Sequence, residues 1–169
     1  MLKNPGTVLR KLLQKPGILM APGIYDGISA RVIEQAGFKL GYLSGAGVAT
    51  SYFGEPDIGL VGMSDVAAVA RKIGLKASVP CICDADTGYG NVLNAIRTVQ
   101  ELEFAGVAAI QMEDQVAPKR CGHLNGKEVV DAKEFIVGDE FDPLTGVKVY
   151  DVDGTNITEK LTVVSNNVN

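Results

Sequence analysis

The sequence predicts an α/β fold with a parallel sheet, built from about four βα units and followed by a short β-rich tail. A run of apolar residues that ends in small or polar residues, then an amphipathic helical pattern, occurs four times along the chain. The apolar runs are nearly continuous, as in strands that are buried on both faces of a parallel sheet. The chain has 169 residues and is 46% hydrophobic, which is enough for one domain with its own core.

The first two units extend from residue 17 to residue 74. An apolar run over 17–26 (GILMAPGIYD) is followed by a helical pattern that begins at Gly27 and ends at Gly37, a residue type that commonly stops helices. The second run covers 40–47 (LGYLSGAG) and leads into a loop that reaches about Gly62. A helix is then expected over 63–74, with Ser64 as its N-cap.

The third and fourth units follow at similar spacing. The run over 78–90 (SVPCICDADTGYG) precedes a helical pattern over 91–106. The run over 107–114 (VAAIQMED) precedes a polar loop and a predicted helix over 127–136. Strands and helices that alternate at this spacing are typical of βαβ units.

The last part of the chain differs in composition, which predicts two regions, 1–136 and 137–169. Residues 137–169 contain 6 acidic and 2 basic side chains, and they alternate between apolar and polar residues. This pattern predicts exposed antiparallel strands, with a hairpin turn at Asp153-Gly154.

Composition and charge exclude several classes of function. The net charge of −4 argues against nucleic-acid binding, and no apolar run reaches the length of a membrane span. The N-terminal residues carry Lys and Arg between apolar residues, unlike a signal peptide. Three cysteines without an export signal indicate free thiols and a cytoplasmic location.

Polar side chains stand where each predicted strand ends. They are Tyr25 and Asp26, then Ser44 to Gly47, then Asp84 and Asp86, then Glu113 and Asp114. Ligands of parallel α/β folds bind at the carboxyl ends of the strands. Asp84, Asp86, Glu113 and Asp57 from the second loop are therefore expected to converge on a hard cation, Mg²⁺ or Mn²⁺. Helix caps and surface salt bridges are the alternative interpretation.

A second cluster lies in the loop over 117–127 (APKRCGHLNGK). It brings Lys119 and Arg120 next to Cys121 and to His123, the only histidine of the chain. A thiol beside cationic groups is suited to proton transfer. An ordinary basic surface loop is an equally good interpretation. Cys81 and Cys83, by contrast, lie within an apolar strand and are expected to pack in the core.

Four motifs give the chain a family resemblance. YLSGAGVATSYFGEPD, DADTGYGN, IQMEDQ and KRCGH, in this order, resemble the isocitrate lyase/phosphoenolpyruvate mutase superfamily from about residue 3 to residue 136. The short members, which are methylisocitrate lyase, dimethylmalate lyase and oxaloacetate hydrolase, are the most similar. The resemblance implies a TIM-barrel-type (β/α)₈ fold and an Mg²⁺-dependent lyase. Such an enzyme cleaves a C–C bond of a small 2-hydroxy di- or tricarboxylate through a pyruvate-type enolate.

The resemblance also implies roles for individual residues. Asp84 and Asp86 match metal ligands, and Asp57 and Glu113 match acids that hold metal-bound waters. Ser44, Gly45 and Ala46 match a loop that binds the substrate carboxylate. The other matching residues are Tyr42 near the reacting centre and Lys119, Cys121, Gly122 and His123 of a mobile catalytic loop, with Cys121 as the acid/base and Cys121 and Gly122 also touching substrate.

Two departures from the family leave alternatives open. Gln111 replaces a histidine of methylisocitrate lyases and is closer to the oxaloacetate hydrolase and dimethylmalate lyase branches, so the substrate stays open. About four βα units are half of a barrel. A second copy or a complementing chain would then complete the barrel, or the chain is an inactive half-barrel that acts only in assembly. A phosphonopyruvate-type mutase or hydrolase is a further alternative, which Cys121 disfavours.

Overall fold

A computed structural model of the protein describes residues 2–131, and within them a single four-stranded sheet forms the centre. The strands are β1 (Gly23–Ile24), β2 (Gly41–Leu43), β3 (Cys81–Asp84) and β4 (Ala109–Gln111). Each pairs in parallel with its neighbour, and the spatial order β1-β2-β3-β4 is the order along the chain. The predicted α/β fold with a parallel sheet is confirmed, although each strand is shorter than the apolar run that predicts it.

Helices connect and flank these strands. They are α1 (Pro5–Leu13), α2 (Gly27–Gln35), α3 (Gly45–Val48), α4 (Met63–Gly74) and α5 (Val92–Phe104). A π-helical turn, Ala49–Phe53, continues directly from α3. Helices α2, α4 and α5 lie where the sequence predicts them. None of the helices within residues 2–131 has the length and apolar character needed to cross a membrane.

Helix α1 precedes the four predicted units. Pro5 stands in its first turn, where a missing N–H costs nothing, and the basic Arg10 and Lys11 lie in its last turn. Its buried residue, Leu9, packs with Leu40 and Ala108. The helix therefore covers the end of the sheet from which β2 and β4 start.

Side chains at the helix starts fix where α2 and α4 begin. The Ser29 amide donates a 2.7 Å hydrogen bond to Asp26 Oδ1, and the Asp26 amide donates to Ser29 Oγ at 3.1 Å, which forms a capping box. Helix α4 starts differently from the expectation: Gly62, not Ser64, is its N-cap. The Gly62 amide donates to Asp65 Oδ2 at 2.9 Å, so a carboxylate of the first turn accepts the hydrogen of the N-cap amide.

The core lies between the sheet and the helices. Leu43 on β2 and Cys83 on β3 are fully buried and belong to one cluster with Val66 of α4 and Leu102 of α5. Cys81 is buried in the same cluster. The expectation that Cys81 and Cys83 pack in the core is confirmed, and the three cysteines are free thiols as predicted.

Two segments differ from their predicted conformations. The second loop is not irregular throughout, since α3 and the π-helical turn occupy 45–53. The predicted helix over 127–136 is wrong for 127–131: Val129 forms an antiparallel bridge with Gln115. The Val116 amide donates to the Glu128 carbonyl, and β-branched valines favour this extended pairing. Residues 132–136 and the tail 137–169, with the Asp153-Gly154 turn, lie outside the described residues.

Candidate active site

The carboxyl ends of the strands present polar side chains on one face of the sheet. Side chains alternate along a strand, so Tyr42 and Asp84 lie on the face opposite the buried Leu43 and Cys83. The register pairs Asp84 of β3 with Gln111 of β4. Three consecutive strands therefore contribute Tyr42, Asp84 and Gln111 to the same face.

Asp84 is held by two backbone amides. The Gly45 amide donates to Oδ2 and the Asp86 amide donates to Oδ1, each at 3.1 Å. A Cβ atom at Gly45 would lie only 3.0 Å from Oδ2 of Asp84, so the glycine permits this approach. The end of β3 and the start of α3 are thereby joined through one carboxylate.

Asp86 is buried and lies in a left-handed turn. Its φ is 45°, a conformation that Asp tolerates better than most residues, and it is 6% exposed. Burial raises the pKa of Asp86, and the nearby charges of Asp84 and Asp57 raise it further. Lys119 acts in the opposite direction but does not cancel the rise.

Lys119 is the positive charge that balances these acids. Its Nζ lies 2.5 Å from Oδ1 of Asp57 and 2.6 Å from Oδ1 of Asp86. Burial lowers the pKa of Lys119, but the hydrogen bonds to Asp57 and Asp86 outweigh it, and the pKa lies above its usual value. The ammonium is thus a charged, nearly enclosed bridge between the second loop and the turn after β3.

Gln115 fastens the loop that carries Lys119. Its Nε2 donates to the Arg120 carbonyl at 2.9 Å, and the Arg120 amide returns a 3.0 Å hydrogen bond to Oε1. The same Nε2 donates to Oε2 of Glu113 at 2.5 Å. Gln115 stands in the IQMEDQ motif, but its part in the loop depends on tertiary contacts that the motif does not specify.

The rest of the predicted catalytic loop lies closer to solvent. Cys121 is half-buried, whereas Gly122 and His123 are exposed. Lys127 donates to the carbonyls of Gly122 and Leu124 at 2.8 and 2.6 Å, which ties the exposed part of the loop together. The buried Lys119 and the accessible Cys121 are only two residues apart.

Tyr42 reaches across β3. Its hydroxyl donates a 2.9 Å hydrogen bond to Oε1 of Gln111. Burial raises the pKa of Tyr42, and the charges of Asp84, Glu113 and Asp86 add to the effect. Tyr42 therefore stays protonated and neutral near these acids.

The segment that is expected to bind a carboxylate forms the first turn of α3. Ser44 is the N-cap, and its Oγ accepts a 3.1 Å hydrogen bond from the Gly47 amide. The Gly45 amide already donates a hydrogen bond to Asp84, and Ala46 lies between Gly45 and Gly47 in the turn. The segment thus adjoins Asp84, at the same edge of the sheet.

At the first strand end, Tyr25 packs beside Gly47 of α3, whereas Asp26 serves a helix start. Asp26 caps α2, and its hydrogen bonds with Ser29 lower its pKa. For Asp26 the structure follows the alternative interpretation, a helix cap.

The acids fit a hard divalent cation in their chemistry. They offer carboxylate oxygens, and Asp57 and Asp86 already converge on a cation, the Lys119 ammonium. In the arrangement seen here, no three Asp, Glu, His or Cys side chains within residues 2–131 are grouped as metal ligands. Asp57, Asp84 and Asp86 are the residues that would hold such an ion, and Lys119 stands between two of them.

Comparison with known proteins identifies relatives of most of the chain. Residues 9–137 match the family described as phosphoenolpyruvate phosphomutase. The chain is 47% identical to 2,3-dimethylmalate lyase of Eubacterium barkeri over 79% of its own length and 46% of that protein. It is also 47% identical to 2-methylisocitrate lyase of Aeropyrum pernix, over 80% of the chain and 44% of that protein. The chain spans about half the length of these relatives.

Solved structures match over the same part of the chain. Oxaloacetate acetylhydrolase in complex with 3,3-difluorooxalacetate superposes with a TM-score of 0.74 at 41% identity, covering 78% of this chain and 46% of that one. Phosphonopyruvate hydrolase in complex with oxalate and Mg²⁺ superposes with a TM-score of 0.70 at 34% identity, covering 79% and 45%. Sequence and fold thus point to the same set of enzymes.

Proposed function

Because the chain belongs to the phosphoenolpyruvate mutase/isocitrate lyase superfamily, we propose that it is a magnesium-dependent carbon–carbon lyase of a 2-hydroxy di- or tricarboxylate. The observation that carries this proposal is the cluster of acids around a buried cation at the carboxyl edge of the sheet, where Asp57 and Asp86 meet Lys119 beside Asp84. Ligand sites of parallel α/β enzymes lie at this edge. The four strands are, in this proposal, one section of a (β/α)₈ barrel.

The proposed chemistry assigns binding and proton transfer to separate parts of the site. Asp57, Asp84, Asp86 and Glu113 would hold Mg²⁺, which would supply charge stabilisation for substrate oxygens. The segment of Ser44, Gly45 and Ala46 binds the substrate carboxylate through the Ser44 hydroxyl and the Ala46 amide, because the Gly45 amide already donates to Asp84. The 2-hydroxyl group loses its proton to solvent, the C2–C3 bond breaks and the hydroxyl oxygen becomes a carbonyl oxygen.

Cys121 completes the reaction in this proposal. The electron pair of the broken bond moves to the carbon of the departing carboxylate fragment, and the thiol of Cys121 donates its proton there. Tyr42, neutral and directed toward Gln111, lines the reacting centre. Lys119 and His123 belong to the same loop, whose closure would exclude water.

Hydrolysis of oxaloacetate is the second candidate function. Gln111 is compatible with it, because at this position the sequence resembles the oxaloacetate hydrolase branch as well as the dimethylmalate lyase branch. The superposition on oxaloacetate acetylhydrolase supports it as well. Both candidates use the same metal-binding acids and differ in whether a C–C bond of a 2-hydroxy acid or of a 2-oxo acid is broken.

A second copy or a complementing chain is proposed to close the site. Within residues 2–131, β1 and β4 each pair with one strand only, so the sheet has two edges there that can accept a further strand. Light scattering gives the mass in solution. A mass of two chains supports self-completion, and a single-chain mass together with turnover would contradict it.

Assays with Mg²⁺ test the proposed function. Release of pyruvate from 2-methylisocitrate or 2,3-dimethylmalate supports the lyase, and oxalate plus acetate from oxaloacetate supports the hydrolase. Asp84→Ala should abolish the metal-dependent activity, whereas Glu55→Ala, which removes an exposed carboxylate near Asp57, should leave it unchanged. Cys121→Ser should slow turnover by about 10²- to 10⁴-fold. Turnover of phosphonopyruvate alone would overturn the lyase assignment.

A further inference from the structure

A lysine ammonium takes the place between two of the acids that are proposed to serve a divalent ion. Lys119 Nζ contacts Asp57 Oδ1 and Asp86 Oδ1 at 2.5 and 2.6 Å, and the residue is only 8% exposed. Two carboxylates that share one centre repel each other unless a positive charge lies between them. Lys119 supplies that charge from within the chain.

The rest of Lys119 and its loop are fitted to this position. Its Cγ lies 3.7 Å from the point where a Cβ of Gly59 would stand, so the aliphatic stem passes along a residue without a side chain. Gln115 binds both the amide and the carbonyl of Arg120, the next residue. The loop is therefore held against the acids by the Gln115 hydrogen bonds and by the two ion pairs of Lys119.

We propose that Lys119 is a built-in counter-ion that holds the metal-free site together and competes with the divalent ion for Asp57 and Asp86. This inference rests on the proposed function and adds a positioning role for Lys119. A metal ion bound directly to Oδ1 of both acids would occupy the place of the ammonium, so the two cations exclude each other there. Metal uptake thus expels Lys119, and because Cys121 is two residues away, expulsion moves the thiol.

The energetics favour exchange of the two cations over their coexistence. A buried ammonium without its carboxylate partners is strongly destabilised, so the expelled Lys119 must reach solvent. The long, flexible stem of lysine allows this movement without a change in the sheet. Competition is reciprocal. The free energy by which Lys119 weakens metal binding equals the free energy by which a bound metal destabilises the closed loop.

Mn²⁺ binding to three proteins tests the proposal. Free Mn²⁺ is measured by electron paramagnetic resonance with the wild-type chain, Lys119→Met and Lys127→Met. Lys119→Met should bind Mn²⁺ more tightly by about 5- to 150-fold, the usual range for coupled sites. Lys127→Met is the matched control, because it removes a charge from the same loop at a residue that, within residues 2–131, donates to two backbone carbonyls. Its affinity should equal that of the wild type.

Each result separates the inference from the proposed function. Equal affinities of the wild type and Lys119→Met would overturn the competition and leave the proposed function standing. Weaker binding by Lys119→Met, or equally tighter binding by Lys127→Met, would also overturn it. No Mn²⁺ uptake by any of the three proteins would overturn both. Uptake by Lys119→Met alone would support the inference and count against metal use by the wild type.

A measurement on the wild type keeps the test valid if Lys119→Met does not fold. Acetic anhydride modifies accessible lysines, and mass spectrometry locates the acetyl groups. Lys119 should be protected without metal and should be acetylated at least about fivefold faster with saturating Mg²⁺, as an expelled side chain requires. Acetylation of the exposed Lys127 serves as the internal reference. An unchanged Lys119 rate with bound Mg²⁺ would contradict the expulsion.

Discussion

The hydroxyl of Tyr42 donates its hydrogen to Oε1 of Gln111, 2.9 Å away, across the strand that ends in Asp84. The two residues are 69 positions apart in sequence, yet they join β2 to β4 over the candidate metal-binding acids. Because the hydroxyl hydrogen is used in this bond, the phenol oxygen has only acceptor capacity left toward a substrate.

A double-mutant cycle measures this link. Tyr42→Phe and Gln111→Leu each remove one partner, and both together remove the whole interaction. We expect a coupling of about 0.5–1.5 kcal/mol in the free energy of unfolding, the usual net value of one hydrogen bond. Urea denaturation gives the four values. Strict additivity would show that the two side chains act independently.

The Asp26 cap predicts a stability that depends on pH. Asp26→Ala should lower the free energy of unfolding by about 1 kcal/mol at pH 7. Hydrogen bonds with Ser29 hold the pKa of Asp26 below its unfolded value, so the contribution is present above the unfolded pKa and is lost as pH falls through the folded pKa. The difference in free energy of unfolding between the wild type and Asp26→Ala should therefore decrease at acidic pH. Asp26→Asn keeps the cap without the charge. The difference in free energy of unfolding between Asp26→Asn and Asp26→Ala should therefore not change where Asp26 of the wild type ionises.

The turn that carries Asp86 depends on Thr98. The hydroxyl of this residue, which is 1% exposed in α5, donates to the Gly88 carbonyl at 3.0 Å. Thr98→Val preserves the shape but leaves that buried carbonyl without its donor, at a cost of about 1–3 kcal/mol. Thr98→Ser keeps the donor and should stabilise the Asp86 turn better than valine. Denaturation together with Mn²⁺ titration checks both, and a weaker metal affinity is expected for Thr98→Val alone.

The three thiols should react in two classes. Cys121 is half-buried in the loop, whereas Cys81 and Cys83 are buried under the helices. Burial raises the pKa of Cys81 to about 12, and it raises the pKa of Cys83 above its usual range, so both stay protonated and unreactive near neutral pH. Ellman's reagent should label one thiol rapidly and the other two only after unfolding. Cys121→Ser should remove the rapid phase, and its persistence would assign that phase to another cysteine.

The architecture could be predicted from sequence because it rests on local patterns. Continuous apolar runs identify the strands, and periodic patterns identify α2, α4 and α5. Helix α1 carries an equally local signal, with Pro5 at its start and Arg10 and Lys11 at its end, but it stands outside the repeating pattern. For residues 127–131 the helical pattern misleads, because the valines pair with the chain around Gln115.

The site is less predictable, since its contacts join residues that are far apart in sequence. Asp84 and Asp86 are recognisable as strand-end acids, but nothing local says that the Gly45 amide binds one of them. Lys119 meets Asp57 from 62 residues away, and only the fold brings them together. The metal-binding roles of Asp57, Asp84, Asp86 and Glu113 stay predictions that the metal titrations decide.

The strand order has a consequence for how the protein is made. Since β1, β2, β3 and β4 lie side by side in the order of synthesis, each strand can dock on its predecessor as soon as its connecting segment has left the ribosome. The sheet can grow at one advancing edge, without waiting for a distant strand to insert into its middle. Ribosome-bound intermediates that end after β3 should already protect the amides of β2 from hydrogen exchange.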